Sequence, residues 1–309
     1  MQIAITGSSG FIGGALVTEL TRLGHRPIRV VRSGGGDRAE GERIEWDIAQ
    51  GRIDAAAFEG LDAVVHLAGA PIAKRWTPAH RAEILDSRVK GTTLLAGALS
   101  GLDRPPATLL SGSAIGFYGE RGDELLTEAS PRGDGFLAEV CEQWEAAAEP
   151  AREAGVRVAA LRTGMVLDRR GGALAKMLPL FRLGVGGRLG GGRQWWPWIT
   201  LDDVLGAIVH LLSSPEVSGP VNLTAPEPVT NGGFTAALAG ALRRPALLPV
   251  PAFGPRLALG RELADNLLFT SARVMPAVLC GSGYAFRHPD IVTGLAAATG
   301  RRPPGPGPA

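Results

Sequence analysis

Three glycines, an arginine, a serine and a tyrosine are the residues here whose type and spacing can do chemistry. Gly7, Gly10 and Gly13 lie between the alternating Ile3 and Ile5 and the helical spacing of Phe11, Ala15, Leu16 and Leu20. A strand that breaks at a glycine and passes straight into a helix predicts a dinucleotide-binding turn. Glycines there permit a sharp bend, let backbone N–H groups approach a pyrophosphate and let the helix pack closely on the sheet. The helix start adds unpaired N–H groups and a positive dipole end. The spacing is GxxGxxG and not GxGxxG. Phe11 and Ile12, which open the helix, are expected beside the cofactor with the glycines.

The end of the second strand selects the cofactor. About 20 residues past the turn, an NAD enzyme usually places an acid that holds the ribose 2′-hydroxyl. Arg32 stands there instead, followed by Ser33 and a glycine run. A guanidinium pairs with a 2′-phosphate and gains nothing from a bare hydroxyl, so NADP(H) is the expected cofactor. The alternative for Arg32 is a solvated surface charge. Asp47, after the third strand, is placed to accept from the adenine amino group or to form a turn. Leu67, Ala68 and Gly69 end the fourth strand, where small residues let a ribose lie against the backbone or simply pack the loop on the sheet.

The elements that position these residues alternate. Strands are predicted at Pro27–Val31, Ile44–Trp46, Ala63–Leu67, Thr108–Ser111 and Val156–Leu161. Helices are predicted at Pro78–Leu99 and Gly135–Ala154. This alternation predicts an α/β fold, a Rossmann-type doubly wound parallel sheet with its ligand at the carboxyl edge. Residues 1–170, completed by about 199–224, make the nucleotide domain. Residues 171–198 and 225–300 make a smaller C-terminal α+β lobe on the substrate side. The proline- and glycine-rich residues 301–309 are expected to be disordered.

At 309 residues the chain is long enough for a substantial core. A net charge of +2, from nearly balanced acids and bases, gives no sign of nucleic acid or a membrane surface as partner. Cys141 and Cys280 have no metal or redox spacing, so no metal site is expected and a reducing compartment fits. With the first strand beginning at residue 2 or 3, no signal peptide is expected, and no apolar run approaches the roughly 20 residues of a membrane span. The expected protein is soluble and cytoplasmic, a monomer or homodimer that takes a small-molecule substrate.

The segments ITGSSGFIGGAL, HLAGAPIAKRW (66–76), SGSAIGFYG (111–119) and LRTGMVL (161–167) resemble the extended short-chain dehydrogenase/reductase superfamily. FLAEVCEQWE (136–145), residues 171–199, LTAPEPVTNGGF (223–234) and RVMPAVLCGSGYAF (273–286) narrow the likeness to the epimerase family proteins, which are similar to nucleotide-sugar epimerases. The likeness runs to about residue 297. It implies an NADP(H) site with a small lobe closing over it. It also implies that Glu83 and Arg88 lie near the cofactor, although by pattern alone both read as solvated helix-face charges. Val166 matches a loop that runs beside the nicotinamide.

That superfamily normally moves a proton with a Tyr-x-x-x-Lys pair, the lysine lowering the tyrosine pKa. Aligned on Glu145, the lysine falls on Cys141 and the tyrosine on Leu137. A shift of one residue gives Phe136 and Val140, so the pair is absent. Ser113 matches the superfamily serine, placed to polarise a carbonyl or to cap a turn. Tyr118 matches the tyrosine of the Val-Tyr-Gly turn and carries a hydroxyl that can move a proton or simply pack. Cys141 titrates only if its pKa is depressed.

The second half leaves alternatives open. Gly171 to Gly192, with Arg182, Arg188 and Arg193, reads as a glycine loop that contacts an anion or carries solvated charges. Trp195, Trp196 and Trp198 read as a pocket wall or as packing between lobes. Asp203 is expected to cap the helix after Ile199, and Val221–Leu223 reads as a strand. Pro226–Phe234 and Pro245–Phe253 read as ordered crossings, with a helix near Arg261–Phe269 and a last stretch at Tyr284–Phe286. Two functions follow from these residues: an NADP(H)-dependent oxidoreductase or epimerase, or a non-catalytic NADP(H)-binding redox module.

Overall fold

The computed structural model describes residues 1–34, 42–246 and 248–301. Strand β1 (Gln2–Thr6) buries Ile3, Ala4 and Ile5 completely, as expected of a parallel strand covered on both faces. Helix α1 (Phe11–Arg22) faces the sheet with Gly13, Leu16 and Leu20. Strands β2 (Arg26–Arg32) and β3 (Arg43–Asp47) then add in parallel on one side of β1, and the short antiparallel β4 (Arg52–Ile53) closes that edge. Strand β5 (Ala63–His66), fully buried, pairs on the other side of β1. The order therefore reverses at β1/β5, which sets the cleft at the carboxyl ends of these two strands.

Helix α2 (Pro78–Ser100) starts where Thr77 accepts from the His80 N–H and Pro78 needs no partner. It leads to β6 (Thr108–Ala114) and the short β7 (Leu125–Leu126). The single helix expected over 135–154 is two, α3 (Phe136–Ala146) and α4 (Glu149–Glu153). Pro150 has no N–H, and its ring excludes the carbonyl four residues back, so it opens a new helix near its start instead of continuing the old one. Strand β8 (Arg157–Thr163) pairs with β6, and β9 (Met165–Leu167) follows it.

Gly171–Gly192 is not simply a loop. Its first half is helix α5 (Gly172–Arg182), which buries Leu174, Leu178 and Phe181 on one face. Strands β10 (Trp195–Trp196) and β11 (Trp198–Thr200) lead into α6 (Leu201–Leu212) and β12 (Gly219–Leu223). The completed sheet has eight strands in the order β12-β8-β6-β5-β1-β2-β3-β4.

After β12 come β13 (Val229–Thr230), α7 (Asn231–Leu242), α8 (Phe253–Leu259) and α9 (Arg261–Ala264), which runs into a wider turn at Asp265–Phe269. Strand β14 (Arg273–Val274) pairs with β7, α10 (Ala277–Gly281) packs Leu279 into the central core, and α11 (Ile291–Thr299) follows. Phe181, Trp196, Trp198, Phe234, Leu238 and Leu295 share a hydrophobic cluster separate from the central core. The expected crossing at 226–234 thus already contains the start of α7. Tyr284–Phe286 forms no regular element.

The cap of α6 is Thr200, whose hydroxyl accepts from the Asp203 N–H at 3.2 Å, and not Asp203 as expected. The Asp203 carboxylate, 0% exposed, instead accepts from the Arg287 and His288 backbones at 2.7 and 3.0 Å and from the Tyr284 hydroxyl at 3.1 Å. Arg301, the first residue of the expected disordered tail, donates from its backbone to Ala296 and from its guanidinium to Leu242. Residues 302–309 lie outside the described residues, as does most of the glycine run after Ser33.

Candidate active site

The carboxyl edge of β1 is made by close approach of backbone to backbone. Gly7 has φ +66°, and a Cβ on it would lie 2.9 Å from the Leu67 carbonyl. A Cβ on Gly13 would lie 2.2 Å from the Gly7 oxygen, while the Gly10 N–H donates to that oxygen at 2.9 Å. The Arg29 guanidinium reaches the Ser8 carbonyl at 3.0 Å and braces the turn from β2. Phe11 packs over Gly171 and Gly172, bringing the segment before α5 against the start of α1. Ile12 and Val166 pack together on the central core.

A buried histidine that sequence reasoning missed fixes the switch point. His66 lies 2.7 Å from the Thr6 hydroxyl and 2.9 Å from the Thr92 hydroxyl, joining β1, β5 and α2. The Thr6 hydroxyl also accepts from the N–H groups of Leu67 and Ala68, both at 3.1 Å. This is what holds the Leu67–Gly69 loop against the glycine turn. Complete burial pushes the His66 pKa down to about 4, so the ring is neutral at neutral pH. A histidine inside the otherwise apolar Ala63–His66 strand was the available signal.

Arg32 and Asp47 lie at the carboxyl ends of the adjacent strands β2 and β3. Asp47 is committed to its own turn, accepting from the Gln50 N–H at 3.0 Å and pairing with Arg52 at 3.4 Å. Glu83 is exposed and pairs with His80 at 2.8 Å. Arg88 is not the solvated charge its pattern implied. It donates to the carbonyls of Ala70 and Ile84 at 3.0 and 3.1 Å, stacks on Trp144 and passes 3.2 Å from where a Gly69 Cβ would be. Burial lowers its pKa from the usual arginine value.

The other side of the cleft is built from side chains. Ser113, 5% exposed at the end of β6, donates to Glu145 Oε1 at 2.6 Å. Arg162 on β8 donates to both oxygens of that carboxylate, at 2.8 and 2.9 Å. Its guanidinium also lies 3.4 Å from the centre of the Phe117 ring and donates to the Tyr118 hydroxyl at 3.0 Å. Burial lowers the Arg162 pKa, but the bonds to Glu145 outweigh it and the net shift is upward.

Tyr118 corrects an expectation. Its side chain is 0% exposed, and its hydroxyl donates to Asn222 at 2.7 Å while accepting from Arg162. Burial raises its pKa against the opposing pull of Arg162. A phenol so enclosed fits the packing alternative, and its hydroxyl joins the turn after β6 to β12. Cys141 is also unsuited to titrate: burial and the neighbouring Glu145 push its thiol up to about 11. Leu137, at the position of the missing tyrosine, packs against Gly116.

Trp196 and Trp198 are buried, so for these two the packing alternative holds. Trp195 is half-buried, donates to Asp123 at 2.7 Å and carries the Arg273 guanidinium over its ring. Arg182, Arg188 and Arg193 are exposed. Among the described residues, no group of histidine, cysteine or acidic side chains is arranged to hold a metal, and no helix is long and apolar enough to cross a membrane.

The chain resembles known proteins along nearly its whole length. The family model described as NAD dependent epimerase/dehydratase family matches residues 3–223, and a domain of unknown function, DUF1731, matches residues 250–298. Epimerase family protein Mb2239 of Mycobacterium bovis is 42% identical over 300 residues, spanning 97% of this chain and 98% of its own. The crystal structure of human epimerase family protein SDR39U1 (isoform 2), solved with NADPH, is 34% identical with a TM-score of 0.87, over 97% of this chain and 99% of that one. A nucleoside-diphosphate sugar epimerase from Corynebacterium glutamicum, 38% identical with a TM-score of 0.78, is matched over 97% of this chain and 58% of its own. From its glycine turn to its last sheet strand, the chain belongs to the NAD dependent epimerase/dehydratase family.

Proposed function

We propose that the protein binds NADP(H) at the β1/β5 switch point and acts as an oxidoreductase or epimerase on a small polar or nucleotide-linked substrate. The observation that carries the cofactor reading is the turn at Gly7, Gly10 and Gly13. A side chain at Gly7 or Gly13 would collide with backbone, and the helix start leaves its N–H groups to an anion. Arg32, one strand away, meets the 2′-phosphate. Leu67, Ala68 and Gly69 flank the ribose, with Arg88 above Gly69 and Glu83 on the same helix. Phe11, Ile12 and Val166 line the cofactor's path, and Asp47 borders the adenine end. The human relative crystallised with NADPH supports NADP(H) as the cofactor.

When bound, the nicotinamide supplies or accepts a hydride. Ser113 is the residue of this chain that reaches toward the reacting oxygen. Protein saturated at about 100 times the Kd of NADPH gains roughly 2.7 kcal/mol of stability, and NADH at equal concentration gives much less. Arg32→Glu is expected to weaken NADPH at least tenfold in calorimetric titration, with NADH little changed. An unchanged preference removes Arg32 from the site.

A second reading has its own support. The chain lacks the Tyr-x-x-x-Lys pair and encloses Tyr118, which favours a non-catalytic NADP(H)-binding redox module. Absorbance at the nicotinamide band, followed with a broad metabolite pool, separates the two: change marks an enzyme, and silence a binding module.

A further inference from the structure

We propose that Ser113 and Glu145 form a proton relay that takes over the work of the missing tyrosine, with Ser113 at the substrate and Glu145 acting through it. This rests on the oxidoreductase reading above. The geometry is a 2.6 Å hydrogen bond from Ser113 Oγ to Glu145 Oε1, at the carboxyl end of β6. Arg162 holds the carboxylate from the opposite side through both of its oxygens, fixing its orientation toward Ser113. The Glu145 side chain keeps 17% of its surface exposed, a route by which a proton reaches water.

The neighbouring groups are occupied. Tyr118 is enclosed, and its hydroxyl is used by Asn222 and Arg162. The Cys141 thiol, one turn before Glu145 on α3, donates to the Ala114 carbonyl at 3.5 Å and holds its proton until about pH 11. Arg88 stacks on Trp144 and is held by two carbonyls. The charged and titratable groups that face the relay are thus Arg162, Cys141, Tyr118 and Arg88. Of these, Arg162 bonds the carboxylate directly.

In the oxidation direction the substrate hydroxyl loses its proton to Ser113 Oγ as the serine's own proton moves to Glu145 Oε1. The electron pair of the substrate C–H bond leaves as hydride for the oxidised nicotinamide, and the substrate C–O bond becomes a carbonyl. Reduction runs the same transfers backward from a protonated Glu145. Glu145 is therefore a positioning residue that also stores the proton.

The test has a turnover arm and a spectroscopic arm. Wild type, Ser113→Ala, Glu145→Gln and Glu145→Asp are assayed with NADPH or NADP⁺ across aldehydes, alcohols, quinones and nucleoside diphosphate sugars, from pH 5 to 9. The relay predicts a 10²- to 10⁴-fold fall in kcat for Ser113→Ala and Glu145→Gln. It also predicts NADPH affinity within about twofold of wild type, loss of the acid limb of the profile in Glu145→Gln and partial rescue by Glu145→Asp. A merely structural Glu145 lowers the melting temperature and leaves the profile's shape alone. In parallel, the ¹³C carboxyl resonance of Glu145, assigned by its absence from Glu145→Gln, is expected to move when wild type is saturated with NADP⁺. Turnover that survives Glu145→Gln, or a resonance indifferent to NADP⁺, overturns the relay and leaves the oxidoreductase reading standing. A panel on which wild type is silent overturns both.

Discussion

The two ends of the cleft are built from different materials. Around β1, β2 and β5 the surface is main chain: Gly7 and Gly13 lie against carbonyls, and one threonine hydroxyl collects two N–H groups. Beside β6, β8 and β12 the material is side chain and mostly buried: Ser113, Glu145, Arg162, Tyr118 and Asn222 form one hydrogen-bonded array. A main-chain surface can grip an anion whatever the substrate, since every residue carries the same N–H. A side-chain array is particular, and each member is committed to its neighbours. The first end suits a cofactor shared across a family. The second depends on which side chains meet there.

The sharpest way to break that contrast is at Arg162. Arg162→Met strands the largely buried Glu145 carboxylate, and the expected loss is about 3–5 kcal/mol in denaturant unfolding. Replacing both partners by apolar residues recovers most of it. A loss below about 1 kcal/mol for the single variant would mean that water already solvates the array. At the other end, Gly13→Ala adds one methyl group where 2.2 Å separates it from a carbonyl oxygen. An overlap that costs about 1–3 kcal/mol is expected to weaken NADPH roughly ten- to hundredfold by calorimetry. Unaltered affinity would show that the turn yields without cost.

His66 gives a smaller effect with a defined sign. Its native pKa, near 4, lies below the unfolded value of about 6.5, so the unfolded chain binds more protons between these limits. Stability therefore falls as pH drops through that window, by about 2 kcal/mol between pH 7.5 and pH 5. His66→Gln is expected to remove that part of the slope. An identical slope in the variant would place the titrating group elsewhere.

Legibility in the sequence follows the same division. Glycines announce a backbone surface because nothing else fits, and Arg32 stands a fixed distance beyond them. That end, with the alternation of strands and helices, could be read from spacing alone. The array could not, because its members come from residues 113 to 222 and meet only when β6, β8 and β12 pair. Tyr118 read either as a proton carrier or as packing because its hydrogen-bond partner Asn222 lies more than a hundred residues away. Helix α5 went unseen for the opposite reason: flanking glycines outweighed the spacing of Leu174, Leu178 and Phe181. Arg88 read as solvated because a helix-surface pattern does not show Trp144 arriving from α3.

The Asp203 carboxylate has a further consequence. It belongs to α6, on the nucleotide side, yet two of its backbone donors, the N–H groups of Arg287 and His288, come from the chain just before α11. Peeling that terminal segment away would leave a carboxylate in the interior with the Thr200 hydroxyl still donating but its backbone donors gone, a penalty felt at α6 for an event near α11. The chain just before α11 is thereby coupled to α6 through one side chain.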